Sequence, residues 1–184
     1  MATESERNDR SIAARALRRR HRLHTIAPMP NSSIASTSAD SKDAFRKMVF
    51  SSPLFRDVDE ATKASIVADA KIERFEAGAT LMKQGDAGDA IFFVLQGTVR
   101  IETLAGASSV ALAELGPGAC IGEVALVSGR ARTATVTAMT SVECGKVRAE
   151  TLAAATSKSP ALLARLQRLI EARAQDAVEK IIGE

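Results

Sequence analysis

The chain has 184 residues, 46% of them apolar, and a net charge of +3, enough for one core-bearing domain with a tail but not for several domains. Seven arginines against Glu4, Glu6 and Asp9 give residues 1–30 a net charge of +4, so the remainder carries −1, and a nucleic-acid-binding face on the folded part finds little support. No run approaches the roughly 18 apolar residues of a membrane span and no continuous hydrophobic segment opens the chain, which predicts a cytoplasmic protein.

In chain order, residues 1–41 begin with the arginine-rich run SIAARALRRRHRL and end in NSSIASTSADS. The composition predicts a disordered basic tail followed by a Ser-rich linker. A basic amphipathic helix touching membrane or nucleic acid is the alternative, with a transit peptide disfavoured by the early acids, and this tail is the one segment through which a membrane could be contacted. His21 and His24 stand in an HxxH spacing that a metal could use on a helix, but no further ligands accompany them, so no metal is expected. Arg22 to Ile26 also resemble a basic-directed kinase site.

Two helices are predicted within 42–69, over about 42–50 and 59–69, with Pro53 breaking the first and Asp59 capping the second. Phe45, Phe50, Leu54 and Phe55 supply an apolar cluster. Across 70–148 the period changes to two: KIERFE, ATLMKQ, AIFFVLQG, TVRIETL, SVALAEL, TATVTAM and SVECGKV are short apolar or alternating runs punctuated by glycine. Seven or eight strands in an antiparallel, jelly-roll-like β-roll follow. Helices return over 150–182: a short one near 150–155, then a long one with Ser159 as N-cap and Pro160 at its first position. Leu163, Leu166, Ile170, Ala174, Ala177 and Ile181 draw an apolar stripe along it. At 1.5 Å per residue the helix is roughly 34 Å long, longer than a small barrel's mouth, which leaves part of the stripe for a second copy of the chain. The fold class is therefore α+β, mainly β, with the roll flanked by N-terminal helices and a long C-terminal helix.

Residues 119–135, ACIGEVALVSGRARTAT, carry the chemistry. Gly122 permits close backbone approach, and Glu123, Val124, Ala125 and Leu126 can wind one helical turn whose first N–H groups lack partners, a setting that attracts phosphate. Arg132 shares strand parity with Ala134, Val136 and Ala138, so a strand starting here points its guanidinium to the apolar face, where it needs an opposite charge. Glu123 paired directly with Arg132 is the plainer alternative. Cys120 and Cys144 lack CxxC spacing and read as small buried thiols.

Three stretches together, PLFRDVD, then FEAGATLMKQGDAGDAIFFVLQGTVRI, and above all GEVALVSGRARTATV, resemble the cyclic nucleotide-binding domain family, which includes the catabolite activator protein, kinase regulatory subunits and cyclic-nucleotide-gated channels. The resemblance covers about Ser52 to the C-terminus and implies such a domain over 42–184. It implies that Glu123 holds the ribose 2′-hydroxyl, that Arg132 pairs with the cyclic phosphate, and that main-chain N–H groups around Ala125 and Ala134 complete the cradle. The expected ligand site is thus Gly122, Glu123, Val124, Ala125, Arg132, Thr133 and Ala134, with cAMP or cGMP as ligand and the last helix as a moving lid. Relatives responsive to the guanine nucleotide often carry threonine after the arginine, as Thr133 does here, whereas parity alone turns Thr133 away from Arg132's face. Ala131 and Ile121 depart from the family's frequent proline and aromatic residue, and the loop's rigidity is the property affected.

No tryptophan or tyrosine is present and all six phenylalanines precede GEVALVSGRARTATV, which the resemblance makes the phosphate-binding cassette, so an aliphatic of the last helix must cap the base, with Leu163, Leu166, Leu169 and Ile170 as candidates. Three function classes compete: a cyclic-nucleotide sensor acting on a separate downstream protein, a ligand-independent dimerisation module, and an enzyme. The enzyme fares worst, because the folded region has no histidine and no acidic metal cluster. The domain is expected to stand alone, without a DNA-binding module.

Overall fold

The computed structural model describes residues 38–106 and 108–182. The expectations about the arginine run, the two histidines and the kinase-like site fall outside those residues.

Helix α1 spans Ser38–Ser51 and begins four residues before the predicted start, with Asp40 placed in the first turn where a negative charge favours helix. A 3₁₀ turn at Pro53–Phe55 follows, and α2 spans Glu60–Asp69, capped by Asp59, whose carboxylate accepts from the Thr62 N–H at 2.8 Å. Eight strands come next: β1 Lys71–Phe75, β2 Thr80–Met82, β3 Ala90–Gln96, β4 Val99–Ala105, β5 Ser108–Leu115, β6 Cys120–Ile121, β7 Thr135–Ala138 and β8 Val142–Arg148. Between β6 and β7 lies a short helix, α3, at Glu123–Ser128. The chain continues into α4, Ala149–Lys158, longer than the predicted 150–155, and α5, Pro160–Ile182.

The strands form two four-stranded antiparallel sheets, ordered β1-β8-β3-β6 and β2-β7-β4-β5. Two apolar clusters result. Ala90, Phe92 and Val94 of β3 face the space between the sheets, with Val99, Val136 and Val142. Ile91 and Phe93 of the same strand face the helices, against Phe45, Phe55, Leu152 and Leu162. Because β3 is covered on both sides, its sequence AIFFVL is a continuous apolar run instead of an alternation.

Helix α5 opens as expected, with Ser159 Oγ accepting from the Leu162 N–H at 3.3 Å. The stripe is rotated at its start: Leu162 and Leu166 are the buried leucines and Leu163 is only half-buried. Further along, α5 leaves the helical core for the roll. Arg165 holds its near end, donating to the Arg56 carbonyl and pairing with Asp57 at 2.5 Å, while Lys180 holds its far end on the Leu112 carbonyl of β5.

Candidate functional site

All seven predicted site residues line one cavity of about 370 Å³, enclosed by the turn after β6, α3, the segment before β7, strands β4 and β5, and the far half of α5.

Gly122 caps α3 with φ +91°, in the left-handed region that favours glycine. A Cβ there would lie 2.4 Å from Arg132 Nη1, so the absent side chain is also what lets the guanidinium approach. Gly88 plays a comparable part against α3 itself, where an added Cβ would fall 2.4 Å from the Cβ of Ala125. Gly122 brings backbone against Arg132 and Gly88 brings it against Ala125; neither spacing is legible from turn propensity.

Arg132 is 5% exposed. It precedes β7, which begins at Thr135, so strand parity is not what directs it. Backbone bonds to the loop after β2 fix it instead: the Arg132 N–H donates to the Asp86 carbonyl at 2.8 Å, and the Gly85 N–H donates to the Arg132 carbonyl at 2.9 Å. Its guanidinium donates from Nη2 to the Ala90 carbonyl at 2.6 Å and from Nη1 to the Gly122 carbonyl at 3.2 Å. The nearest carboxylate, on the largely exposed Asp89, stands 3.6 Å away, beyond a good hydrogen bond. Burial pulls the Arg132 guanidinium below its ordinary pKa, and the negative charges of Asp89, Asp86 and Glu123 act the other way.

Glu123 is 1% exposed and does not pair with Arg132. Its partner is Arg173 of α5, which donates to the carboxylate and, at 2.9 Å, to the Cys120 carbonyl. Thr133, by contrast, is exposed at the cavity edge, with Ala134 half-buried beside it.

Of the proposed base caps, Ile170 lines the cavity, whereas Leu166 belongs to the helical core and Leu163 does not reach the lining. Leu169 packs against that core too. Ala174, Ala177 and Ile181 complete the α5 side of the cavity. Sequence reasoning missed the polar groups Thr103, Arg173 and Asp176 that also line it. Arg173 stands three residues after Ile170 and four before Ala177, so helical spacing around the stripe held the signal.

Cys120 and Cys144 are free and buried. Burial, reinforced by Glu123, pushes the Cys120 thiol well up, and burial raises Cys144 to about 12, so neither is poised as a thiolate. Among the described residues no group of three histidine, cysteine, aspartate or glutamate side chains could hold a metal ion, and no helix is long and apolar enough to cross a membrane.

Comparison with known proteins is consistent with this geometry. A cyclic nucleotide-gated potassium channel of Mesorhizobium japonicum is 41% identical over 96 residues, 52% of this chain and 25% of the channel. A cGMP-dependent protein kinase of Drosophila melanogaster is 35% identical over 96 residues, 50% of this chain and 12% of the kinase. The chain thus spans a quarter or less of these relatives' length. Among solved structures, the regulatory domain of Toxoplasma gondii PKA with cAMP superimposes with a TM-score of 0.58 at 26% identity, over 61% of this chain and 43% of that one. Residues 72–159 match the cyclic nucleotide-binding domain, and with the two-sheet roll around its cassette this part of the chain belongs to that family.

Proposed function

We propose that the chain is a regulatory domain that binds a cyclic nucleotide in the cavity under α5. The observation that carries this reading is Arg132: a guanidinium kept inside the protein by backbone carbonyls, facing a cavity, with no carboxylate at hydrogen-bonding distance among the described residues. A cyclic phosphate carries a single negative charge, and a buried guanidinium meets it with charge-assisted hydrogen bonds that water does not screen.

Glu123 supplies the second contact. Its carboxylate accepts the ribose 2′-hydroxyl while Arg173 holds it in place, so deoxyribose leaves a buried acceptor unpaired. Ile170 and Ile181 give the base an apolar ceiling in place of an aromatic one. Both cAMP and cGMP suit the phosphate and ribose groups. The base edge is met by Thr133 and Asp176, and a carboxylate matches the N1–H and 2-amino donors of guanine better than the N1 acceptor of adenine, which favours cGMP.

The reading is one of binding without turnover, with the carboxylates and guanidinium of the lining engaged in holding the ligand. The output is the position of α5, offered to a downstream protein. A ligand that binds better with α5 closed shifts it by its differential affinity alone. Calorimetric titration with cAMP, cGMP and linear 5′-GMP tests the reading: it predicts that at least one cyclic nucleotide binds and the linear monophosphate does not. A chain that binds none of the three would be an interaction module that has kept the roll only.

A further inference from the structure

The structure carries a hydrogen-bond tether between β4 and the segment before β7. Thr103, half-buried on β4, lines the cavity, and its hydroxyl lies 3.1 Å from the Thr133 carbonyl oxygen and 3.5 Å from Gln84 Oε1. Both neighbours are acceptors and the hydroxyl has one proton, so the shorter contact, to Thr133, is the bond it makes. Gln84 is engaged elsewhere: its Oε1 accepts from the Leu104 N–H at 2.8 Å, and its own N–H donates to Thr135 Oγ1 at 3.1 Å. One hydroxyl and one glutamine thus join the loop after β2, the far end of β4 and residues 133–135. Thr133's own hydroxyl has no hydrogen-bond partner among the described residues, and it stands at the cavity edge.

We propose that Thr103 is a specificity-determining residue, acting by fixing Thr133 at the position from which that hydroxyl reads the purine. The inference rests on the nucleotide-binding reading and adds to it the residue on which discrimination depends. The physical reason lies in the backbone. Residues 130 and 131, an arginine and an alanine, leave the segment before β7 with no ring to restrict φ. The tether from β4 replaces that restriction. A reader held at one end samples fewer positions, and a hydrogen bond to the base forms at less entropic cost.

Thr103→Val is the informative change, because valine keeps the shape and removes only the donor. The exposed Thr133 carbonyl can then take water, so the fold persists. Affinities for cAMP and cGMP are measured on wild type, Thr103→Val, Thr103→Ser, Thr133→Ala and the Thr103→Val/Thr133→Ala pair, and amide exchange over 131–136 is followed without nucleotide. Thr103→Val is expected to speed that exchange and to reduce the preference between the two nucleotides by roughly three- to tenfold, the span of one neutral hydrogen bond. Serine restores both, and valine adds nothing to the preference once Thr133 is alanine. Unchanged exchange in Thr103→Val overturns the tether whatever binds. Independent, multiplying effects of the two substitutions on the preference overturn the claim that Thr103 acts through Thr133. Faster exchange in a protein whose wild type binds neither nucleotide leaves the tether standing and overturns the nucleotide reading on which the specificity depends.

Discussion

Arg173 on α5 is ion-paired with Glu123 on α3, so one guanidinium joins the helix over the cavity to the carboxylate inside it. Glu123 has almost no exposure and Arg173 keeps about a quarter of its side-chain surface. Removing the arginine therefore strands a charge out of water. Arg173→Ala is predicted to lower stability to urea by about 1–3 kcal/mol, and to cost at least about 1 kcal/mol less in a Glu123→Gln background. Equal losses in the two backgrounds would mean that the pair is not coupled.

Gly88 and Ala125 meet where the loop before β3 supports α3. A Cβ at 88 would overlap that of Ala125 at 2.4 Å. Gly88→Ala is predicted to destabilise the protein by about 1–3 kcal/mol, the usual cost of overpacking. Ala125→Gly should recover part of that loss, although glycine itself costs about 1 kcal/mol in a helix. Thermal unfolding of the two single variants and the double variant decides the point; a double variant no better than Gly88→Ala would place the strain elsewhere.

Thr133→Ala removes the hydroxyl at the base edge without disturbing a buried contact, since the residue is exposed. The loss of affinity is predicted to be roughly tenfold for cGMP and under about threefold for cAMP, because the 2-amino donor belongs to guanine alone. Competition of unlabelled nucleotides against a fluorescent analogue measures both. Equal losses would remove Thr133 from base recognition.

Asp69, at the end of α2, accepts from the Arg148 N–H at 3.0 Å and from Arg148 Nε at 2.7 Å. Burial acts to raise its carboxyl pKa, but the hydrogen bonds from the Arg148 side chain and backbone and from Thr151, with the charge of Arg148, outweigh it and hold the carboxyl below the ordinary aspartate value. A carboxylate with a lowered folded-state pKa stabilises fully above its unfolded value, about 3.9, and loses that contribution as pH falls through the folded value. Asp69→Asn is predicted to cost about 1 kcal/mol at pH 7, a modest figure because Arg148 is largely exposed. The difference from wild type should begin to narrow below about pH 4 and close once the pH is under the folded value. A gap that persists in acid would trace to shape and not to charge.

The roll was legible because its signals are local. Alternation marked the longer strands, Asp59 and Ser159 marked helix starts, and the string from Gly122 to Ala134 carried the cassette. What escaped had no local signature. Strand β6 is Cys120 and Ile121 alone, too short for a period to show. The strand expected at Arg132 begins at Thr135, because the Arg132 backbone bonds across to Gly85 and Asp86, 46 or more positions away, instead of entering the sheet. Leu162 displaced Leu163 from the core because the first turn of a helix is set by its cap and docking angle, which periodicity leaves free by one residue. Arg173 and Asp176 flank the apolar stripe of α5, and helical spacing alone does not show that the roll lies beneath them.

If Arg132 receives the cyclic phosphate, side-by-side calorimetric titration of wild type and Arg132→Ala with cGMP and cAMP will separate the two proteins. Wild type is predicted to bind at micromolar concentration, with a loss of at least about 100-fold in the variant from removal of the charged fork, while the variant's unfolding curve shows it still folded. Wild type giving no heat with either nucleotide at millimolar concentration, or a folded variant binding as tightly as wild type, would contradict it.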